Sequence, residues 1–549
     1  MLRMSEGPSG RGVSGQRPAG LPTAEPSGLE DAARRLGIHT LYPEQERVIG
    51  DVLAERDVLM ILPTGFGKSA CYQIPSMVLP RPVVVISPLL ALLRDQEQKL
   101  TRREIPVVRV DGTVRGRARR TALERVAQGG PLLVMTTPET AASEELGEVL
   151  LRSGVGLAAV DEAHCISEWG HDFRPAYRRL GPRLQELGAP PVLALTATAT
   201  PRVRESIVQA LGMREPAVVA SSPHRSNLAF EVLGCEGDQR VRALLRLVRR
   251  LRRPGIVYCT TTREVDEVYA VLRRFRVPAT RYHGRMAAGE RNTEQARFMR
   301  PRRRAVMVAT SAFGLGIDKP DIRYILHYHA PASLEQYVQE AGRAGRDGRR
   351  SNCILLFDPA DRAVHELLLA RSRVRPDQLY RLGEALAAWA GEQRAPSVEA
   401  LALSAELGPR VCAALLAVVQ EAGLVRLEDG QVSVVERASA VEEAVRSLAG
   451  QFQTLRTQDG RRLDSVAEYA RAPGCRAVFL QRYFGEEAGD PCGLCDACLG
   501  REERPASFFA PLASPPKPEQ KPRRRRSRRR GQRPSRGRQG GRRGAPSSS

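Results

Sequence analysis

The chain has 549 residues, of which 42% are hydrophobic and 27% charged, and its formal net charge is +23. Because single hydrophobic cores rarely exceed about 300 residues, this length predicts three or four folded units. No apolar run approaches the roughly 20 residues that cross a bilayer, and no secretory signal is evident. Because disulfides persist mainly in secreted proteins, the ten cysteines are not expected to form a disulfide framework. We therefore expect a cytoplasmic protein without a membrane segment.

The N-terminal half carries the alternating pattern of an α/β fold. Residues 1–27 are rich in Gly, Pro and Ser, which predicts a disordered leader. Across residues 28–222, short β-branched runs alternate with helical stretches rich in Arg and Glu, as in βαβ units of a parallel sheet. The alternation restarts after residue 222 and continues to 372, which predicts a second α/β domain.

A glycine-rich loop, PTGFGKS, follows the apolar run 58–62. Glycines let backbone N–H groups approach phosphates, and a helix N-terminus favours negative charge, so the order strand, loop, helix predicts a triphosphate site. Lys68 is expected to pair with the β- and γ-phosphates, and Ser69 to offer its hydroxyl to Mg²⁺. An ordinary turn is the alternative, because Leu62 stands where the general pattern has its first glycine. The loop residues predicted to bind nucleotide are Thr64, Gly65, Gly67, Lys68 and Ser69.

The residues DEAH, at 161–164, follow directly after the apolar run 157–160. Asp161 is expected to hold Mg²⁺ together with Ser69, and Glu162 to orient or deprotonate the attacking water. A solvated strand end is the alternative for any single acidic pair. The glycine-rich loop earlier in the same domain favours the catalytic interpretation.

The second α/β domain contains QEAGRAGR at residues 339–346. Arg343 and Arg346 are three residues apart, hence on one face if the segment is helical. Guanidinium groups stabilise the charge that develops during phosphoryl transfer, so both are candidate arginine fingers. A solvated helix face is the alternative.

A winged-helix-like segment is predicted over residues 373–439. Its helical pieces precede a short apolar stretch that turns at 428–431. The helix around 409–422 either enters a DNA groove, as in helix-turn-helix proteins, or only packs on its neighbours, and its mostly apolar composition leaves both open.

Four cysteines predict a zinc site in a small helical domain at residues 440–500. Sixteen, two and two residues separate Cys475, Cys492, Cys495 and Cys498. Thiolates with this spacing can close a tetrahedral site, and four sulfur ligands leave no open position, so the Zn²⁺ would be structural.

The C-terminal segment 501–549 is predicted to be a disordered, Arg-rich tail. After residue 516 the sequence contains two Lys, twelve Arg and a single acidic residue, Glu519, which together give a net charge of +13. Such a tail would bind phosphates without sequence preference, on DNA or RNA, or would only solvate the chain.

The motifs together resemble those of superfamily-two helicases. In chain order they are Gln45, GFGKS, SPL at 87–89, DEAH, TAT at 196–198 and QEAGRAGR. The stretch CISEWGHDFRPAY at 165–177 resembles the aromatic-rich loop of RecQ helicases, and 308–320 and 342–348 look like matching RecQ segments. The similarity covers residues 36–499 apart from the winged-helix-like segment.

This resemblance implies two tandem RecA-like domains that bind ATP between them. Gln45 and Gln339 would join the nucleotide site, with Gln45 reading the adenine edge. Trp169 and Phe173 would stack on unpaired bases, although such residues are more often core anchors. The residues expected to contact DNA are Ser87, Trp169, His171, Phe173, Arg174 and Thr310.

The sequence also departs from the RecQ pattern. Leu36, Ile38 and Tyr42 stand where RecQ proteins usually carry a Phe, an aromatic residue and an Arg upstream of Gln45. The winged-helix-like segment precedes the zinc segment instead of following it. Three further positions in the matching loops differ from the usual residues, namely Glu168, Ala176 and Asp318.

We therefore expect an ATP-dependent DNA helicase that uses Mg²⁺ with ATP, carries Zn²⁺ and moves 3′ to 5′. The resemblance implies single-stranded and forked or branched DNA as partners, a single-strand-binding protein as a further partner, and a role in DNA repair or recombination near the nucleoid. An RNA-directed helicase and a DNA translocase without strand separation are the alternatives. A non-enzymatic DNA-binding protein is less favoured because Lys68, Glu162 and Arg346 are all present.

Overall fold

The computed structural model describes residues 26–512, except 168–173, 223, 301–303, 315–318, 373–374, 393, 429, 436 and 502. Most of the predicted leader and most of the Arg-rich tail lie outside the described residues. So do Trp169, His171 and Phe173 of the aromatic-rich loop.

The first α/β domain is built on a seven-stranded parallel sheet in the order β3-β4-β2-β5-β6-β1-β7. Most of its strands are apolar and buried along their whole length, as expected when helices cover both faces of a parallel sheet. The strands are β1 (Val58–Ile61), β2 (Val83–Ile86), β3 (Val107–Val110), β4 (Leu133–Thr136), β5 (Leu157–Val160), β6 (Val192–Thr196) and β7 (Ala217–Ala220). The helices are α1 (Pro26–Arg35), α2 (Pro43–Leu53), α3 (Ala70–Gln73), α4 (Pro75–Val78), α5 (Leu90–Thr101), α6 (Gly116–Ala127), α7 (Pro138–Ala141), α8 (Glu144–Ser153), α9 (Leu180–Glu186) and α10 (Pro201–Leu211), with 3₁₀ turns at Ala163–Ile166 and Pro175–Arg179.

The second α/β domain has a six-stranded parallel sheet in the order β10-β11-β9-β12-β13-β8. The strands are β8 (Leu228–Gly234), β9 (Gly255–Tyr258), β10 (Ala279–Tyr282), β11 (Val306–Ala309), β12 (Tyr324–His327) and β13 (Ser351–Phe357). The helices are α11 (Asp238–Arg250), α12 (Thr262–Arg274), α13 (Ala288–Met299), α14 (Leu334–Ala341) and α15 (Asp361–Ser372). Two tandem parallel-sheet domains confirm the predicted fold class.

The C-terminal region is mainly helical and contains a β-hairpin whose strands pair Glu428 with Gln431 at the turn. This confirms a hairpin at the predicted wing. Its elements are α16 (Pro376–Gly391), α17 (Val398–Ser404), α18 (Pro409–Glu421), β14 (Val425–Glu428), β15 (Gln431–Val434), α19 (Ala438–Arg471) and α20 (Arg476–Tyr483), with 3₁₀ turns at Ala497–Leu499 and Ala506–Phe509.

The long helix α19 belongs to two cores. Val441 and Leu448 in its N-terminal half pack with the winged-helix elements, whereas Val466 and Tyr469 in its C-terminal half pack with the second α/β domain. α19 begins at Ala438, next to the predicted boundary at residue 440, and its first half completes the winged-helix core.

The start of the predicted tail is folded against the second α/β domain. Phe508 is 7% exposed. Arg246 of α11 donates to the Phe508 carbonyl and Arg242 donates to the Phe509 carbonyl. Two aromatic residues thus extend the packed region to about residue 510, beyond the predicted boundary at residue 500.

Among the described residues, no single helix is long and apolar enough to cross a membrane. The pair Val398–Ser404 and Pro409–Gln420 passes that test only when its two helices are taken together, and they are bent by 103°.

Candidate functional site

The glycine-rich loop folds around its own lysine at the end of β1. Gly65 and Gly67 have φ values of 93° and 69°, a backbone conformation that glycine adopts without steric cost. Lys68 Nζ donates to the Leu62 carbonyl at 2.9 Å. Burial lowers the pKa of Lys68, while the nearby carboxylates Glu162 and Asp161 act in the opposite direction. The ammonium is therefore held at the base of the loop, beside the acidic pair.

The acidic pair lies where β5 ends, at the edge of the sheet formed by the carboxyl ends of the strands. The neighbouring strand β2 ends at the same edge. Ser87 Oγ donates to Asp161 Oδ2 at 3.3 Å, and Tyr177 donates to the Asp161 carbonyl at 2.9 Å. Burial, and then the neighbouring charge of Glu162, raise the pKa of Asp161 to about 7. A buried carboxylate with a raised pKa gains from a cation, so this position suits the predicted magnesium ligand.

The second carboxylate of the pair connects to the next strand. Glu162 has a left-handed backbone with φ 50°, and its Oε2 lies 3.4 Å from His164 Nδ1. The same His164 nitrogen lies 3.0 Å from the Thr196 hydroxyl, which donates to the Thr198 carbonyl at 3.0 Å. His164 of the DEAH segment is thus hydrogen-bonded to the TAT segment, a link that the sequence suggested only through the order of its motifs.

Gln45 supports the glycine-rich loop from behind. Its Nε2 donates to the carbonyls of Phe66 and Gly67 at 2.9 and 3.0 Å, and its Oε1 accepts from the Tyr42 N–H at 2.9 Å. The Tyr42 ring is 53% exposed and lies 4.7 Å from the Phe66 ring. Tyr42 therefore presents an aromatic surface near the loop, at a position where the RecQ pattern usually has an Arg.

Gln96 belongs to this site although its sequence context did not predict it. Gln96 on α5 donates to Ser69 Oγ at 3.3 Å and accepts from the Tyr72 hydroxyl at 3.0 Å. It lies in no motif, and a glutamine on an amphipathic helix gives no signal of its own.

The second α/β domain supplies the other wall of the same cleft. A cavity of about 360 Å³ is lined by the glycine-rich loop, the acidic pair and Gln339, Arg343 and Arg346. A Cβ atom placed on Gly65 would lie 3.0 Å from Arg346 Nε. The Arg346 side chain therefore reaches across the cleft and packs against the glycine-rich loop. The structure brings together all the residues predicted to act on ATP phosphates.

The predicted DNA contacts are only partly described. Ser87 is 1% exposed, and its hydroxyl donates to Asp161, so the structure places it beside the acidic pair. Thr310 is 9% exposed at the end of β11. Arg174 is half-buried, and its N–H donates to the Cys165 carbonyl at 2.9 Å. Trp169, His171 and Phe173 lie outside the described residues.

The exposed face of α18 is nearly uncharged. Val411, Ala414, Ala417 and Gln420 face solvent, and Arg410 is the one basic residue in the helix sequence. Helices that enter DNA grooves usually carry several polar or basic side chains toward bases and phosphates. This composition favours the packing alternative for α18.

The four predicted zinc ligands converge. The sulfur atoms of Cys475, Cys492, Cys495 and Cys498 all lie within 4.8 Å of one another. Tetrahedral Zn–S bonds of about 2.3 Å put sulfur atoms roughly 3.8 Å apart, so the cluster fits Zn²⁺ after a small contraction. Partial burial acts to raise the pKa of Cys475, but N–H donors such as that of Cys492 outweigh it and bring this pKa to about 7. The thiolate that zinc requires is therefore favoured at this position.

The cysteine cluster is attached to the edge strand of the second domain. Asp496, between two of the cysteines, accepts from the Val232 N–H at 2.8 Å and donates its own N–H to the Phe230 carbonyl at 3.1 Å. Arg476 forms a buried, two-pronged ion pair with the Asp496 carboxylate. The cluster thus covers polar groups of β8 that an edge strand leaves unpaired.

Comparison with known families agrees with this arrangement. Family models described as DEAD/DEAH box helicase, helicase conserved C-terminal domain and RecQ zinc-binding match residues 42–207, 239–348 and 440–499. Together with the four-cysteine cluster, the last match identifies a zinc-binding domain.

Curated relatives carry the same assignment. An ATP-dependent DNA helicase RecQ of Synechocystis sp. is 33% identical over 87% of this chain and 99% of its own length. An ATP-dependent DNA helicase RecQ of Bacillus subtilis is 43% identical to this chain. The match covers 58% of this chain and 54% of that relative, so the chain spans about half of the relative's length. The probable ATP-dependent DNA helicase RecS of the same organism is 38% identical, with 62% of this chain and 69% of the relative covered.

Among solved structures, the DUF1998 helicase MrfA bound to DNA matches with a TM-score of 0.51 at 21% identity, covering 77% of this chain and 61% of that one. This likeness concerns the fold alone. The relative from Synechocystis, matched over nearly its whole length, together with the RecQ zinc-binding segment, shows that the chain belongs to the RecQ family of ATP-dependent DNA helicases.

Proposed function

We propose that this chain is a DNA helicase that couples ATP hydrolysis to 3′ to 5′ movement along single-stranded DNA and to unwinding of duplex DNA. The observation that carries the proposal is the cleft between the two α/β domains, which joins Lys68 and the acidic pair on one side to Arg343 and Arg346 on the other. Family membership supports DNA as the nucleic acid, because the relatives matched here are named DNA helicases.

Each side chain of the cleft has a task that its position permits. Lys68 would release the Leu62 carbonyl to pair with the β- and γ-phosphates, and Ser69 and Asp161 offer the oxygen donors that Mg²⁺ prefers. Mg²⁺ bound with ATP supplies charge neutralisation across the phosphates. Glu162, whose Oε2 lies beside His164, would orient the attacking water.

Arg343 and Arg346 would stabilise negative charge on the transferred phosphate, a contribution typically worth about 10³- to 10⁵-fold in rate. Because they belong to the second domain, they act only while the cleft is closed. Hydrolysis and release would then let the domains part, and DNA bound across both would move by one step.

Strand displacement from a forked duplex tests the proposal. We expect ATP-dependent separation of a DNA duplex with a 3′ single-stranded tail, and no separation of the matched duplex with a 5′ tail. The same tails made of RNA should give much weaker activity. Equal displacement from both tails, or preference for RNA, would contradict the proposal.

A DNA translocase without strand separation is the second candidate. The nearly uncharged face of α18 favours it, because the winged-helix elements then offer little grip on a duplex. Displacement of a protein block from single-stranded DNA, without displacement from a fork, would support this candidate.

On family relationship alone we also propose a role in DNA repair or recombination, action near the nucleoid in the cytoplasm, and cooperation with a single-strand-binding protein. Normal survival of a deletion strain after DNA damage would count against the repair role.

A further inference from the structure

The linker between the two α/β domains reaches the turn that carries the two cleft arginines. Residues 221–227 connect β7 to β8, and Arg225 lies partly buried within them. Its guanidinium donates to the carbonyls of Gly342 and Ala344 at 3.0 Å each, and also to the carbonyl of Gly345. A single linker side chain therefore binds three carbonyls of this turn.

These carbonyls lie in the turn that follows α14, which ends at Ala341, so regular helical hydrogen bonds do not continue there. Backbone carbonyls just beyond the C-terminus of a helix lie at the negative end of its dipole, where a cation is favoured. A guanidinium presents a planar fork of donors and stays charged even where burial lowers its pKa, as it does for Arg225. The side chain type and the site are thus matched in charge and geometry.

A second linker side chain fixes the same turn. Asn227 Nδ2 donates to the carbonyls of Gly345 and Arg349 at 2.8 and 3.0 Å. Gly345 has φ 55°, and a Cβ atom on it would lie 2.6 Å from Asn227 Nδ2. The turn therefore packs closely on the linker and has little room to shift while Arg225 and Asn227 are in place.

The linker is also tied to the zinc-binding domain. Ser222 Oγ donates to Glu486 Oε2 at 2.8 Å and accepts from Gln481 Nε2 at 3.4 Å. The linker is therefore fixed at both ends: Arg225 and Asn227 bind the arginine turn, and Ser222, next to the first α/β domain, binds the zinc-binding domain.

We propose that Arg225 is a positioning residue, which holds the turn so that Arg343 and Arg346 reach the transferred phosphate when the cleft closes. The inference rests on the proposed function, because it assigns Arg225 a role through those arginines. A displacement of about 1 Å at a catalytic group can cost roughly 100-fold in rate. The linker thereby connects domain closure to the chemical step.

Steady-state ATP hydrolysis with saturating single-stranded DNA tests this inference. We expect Arg225→Gln to lower kcat about 10- to 100-fold while the KM for ATP stays within about twofold, because ground-state binding depends mainly on the first domain. Arg225→Lys should give an intermediate kcat, since the compact ammonium keeps the charge but lacks the planar fork of donors that spans the three carbonyls. Arg125→Gln is the matched control, because Arg125 donates to a backbone carbonyl in the first domain, away from the cleft, and kcat should not change.

Combination with the loss of both cleft arginines separates positioning from general damage. If Arg225 acts through Arg343 and Arg346, Arg225→Gln should lower kcat less than about twofold further in a chain that carries both Arg343→Ala and Arg346→Ala. Full multiplication of the two losses, or wild-type kcat in Arg225→Gln, would overturn the inference. Wild-type kcat in Arg346→Ala alone would instead overturn the proposed function.

Discussion

At the scale of single residues, Gln45 does more than its motif suggests. The sequence assigns it to the adenine edge, whereas in the structure its amide binds two carbonyls of the glycine-rich loop. A residue that shapes the loop affects phosphate binding as well as base selection.

We expect Gln45→Ala to raise the KM for ATP about tenfold. Two hydrogen bonds to the loop are lost, each worth about 1 kcal/mol, and a loosened loop binds phosphates less well. The KM for ATP and for GTP should be measured together, and Gln98→Ala, an exposed glutamine on α5, is the control. An unchanged KM for ATP would show that the loop does not depend on this amide.

The groups around the phosphates could be predicted from sequence because each motif has a fixed place at the end of a parallel strand. Lys68, Asp161 and Glu162 follow strands that meet at one sheet edge, so strand order alone brings them together. Gln96 could not be assigned in this way. Its role depends on side-chain direction and burial, which neither spacing nor composition reveals.

At the scale of elements, the cysteine cluster stabilises more than its own loop. Asp496 lies among the ligands and binds the backbone of β8, so the metal and the edge of the second domain are linked. The sequence predicts the cluster from spacing, but it does not show the surface on which the cluster docks.

We expect Cys492→Ser to lose bound zinc and to lower the unfolding temperature of the second α/β domain. A serine hydroxyl is a poor replacement for a thiolate ligand, and the contact of Asp496 with β8 loosens with the cluster. Atomic absorption and thermal unfolding measure the two effects. Cys412→Ser, in the winged-helix core, is the control and should keep its zinc. Full zinc content in Cys492→Ser would contradict the assignment.

Helix α19 shows why packing is harder to predict than secondary structure. Its helical pattern is readable, yet nothing in the pattern says that one half packs on the winged-helix elements and the other on the second domain. Which surface a helix face covers is decided by tertiary packing.

At the scale of the whole molecule, positive charge is divided unevenly. More than half of the net charge of +23 lies after residue 516. The residues before 517 are only mildly basic, so most of the positive charge available for phosphate contacts lies in the tail.

We expect a chain ending at Leu512 to bind single-stranded DNA with a weaker salt dependence than the full chain. Each phosphate that the tail neutralises contributes about 0.7 to the slope of log affinity against log salt. Binding titrations from low to moderate salt measure the slope, and a full-length chain with the tail arginines changed to glutamine is the control. Equal slopes would show that the tail only solvates the chain.

Coupled movement on DNA requires that the nucleotide be held between two domains that both contact the strand. ATP hydrolysis by the purified full-length protein, with and without a single-stranded oligonucleotide, tests this directly. We expect the oligonucleotide to raise the rate at least about tenfold, and Lys68→Ala to abolish hydrolysis in both conditions. The same rate with and without DNA, or a Lys68→Ala chain as active as the wild type, would contradict it.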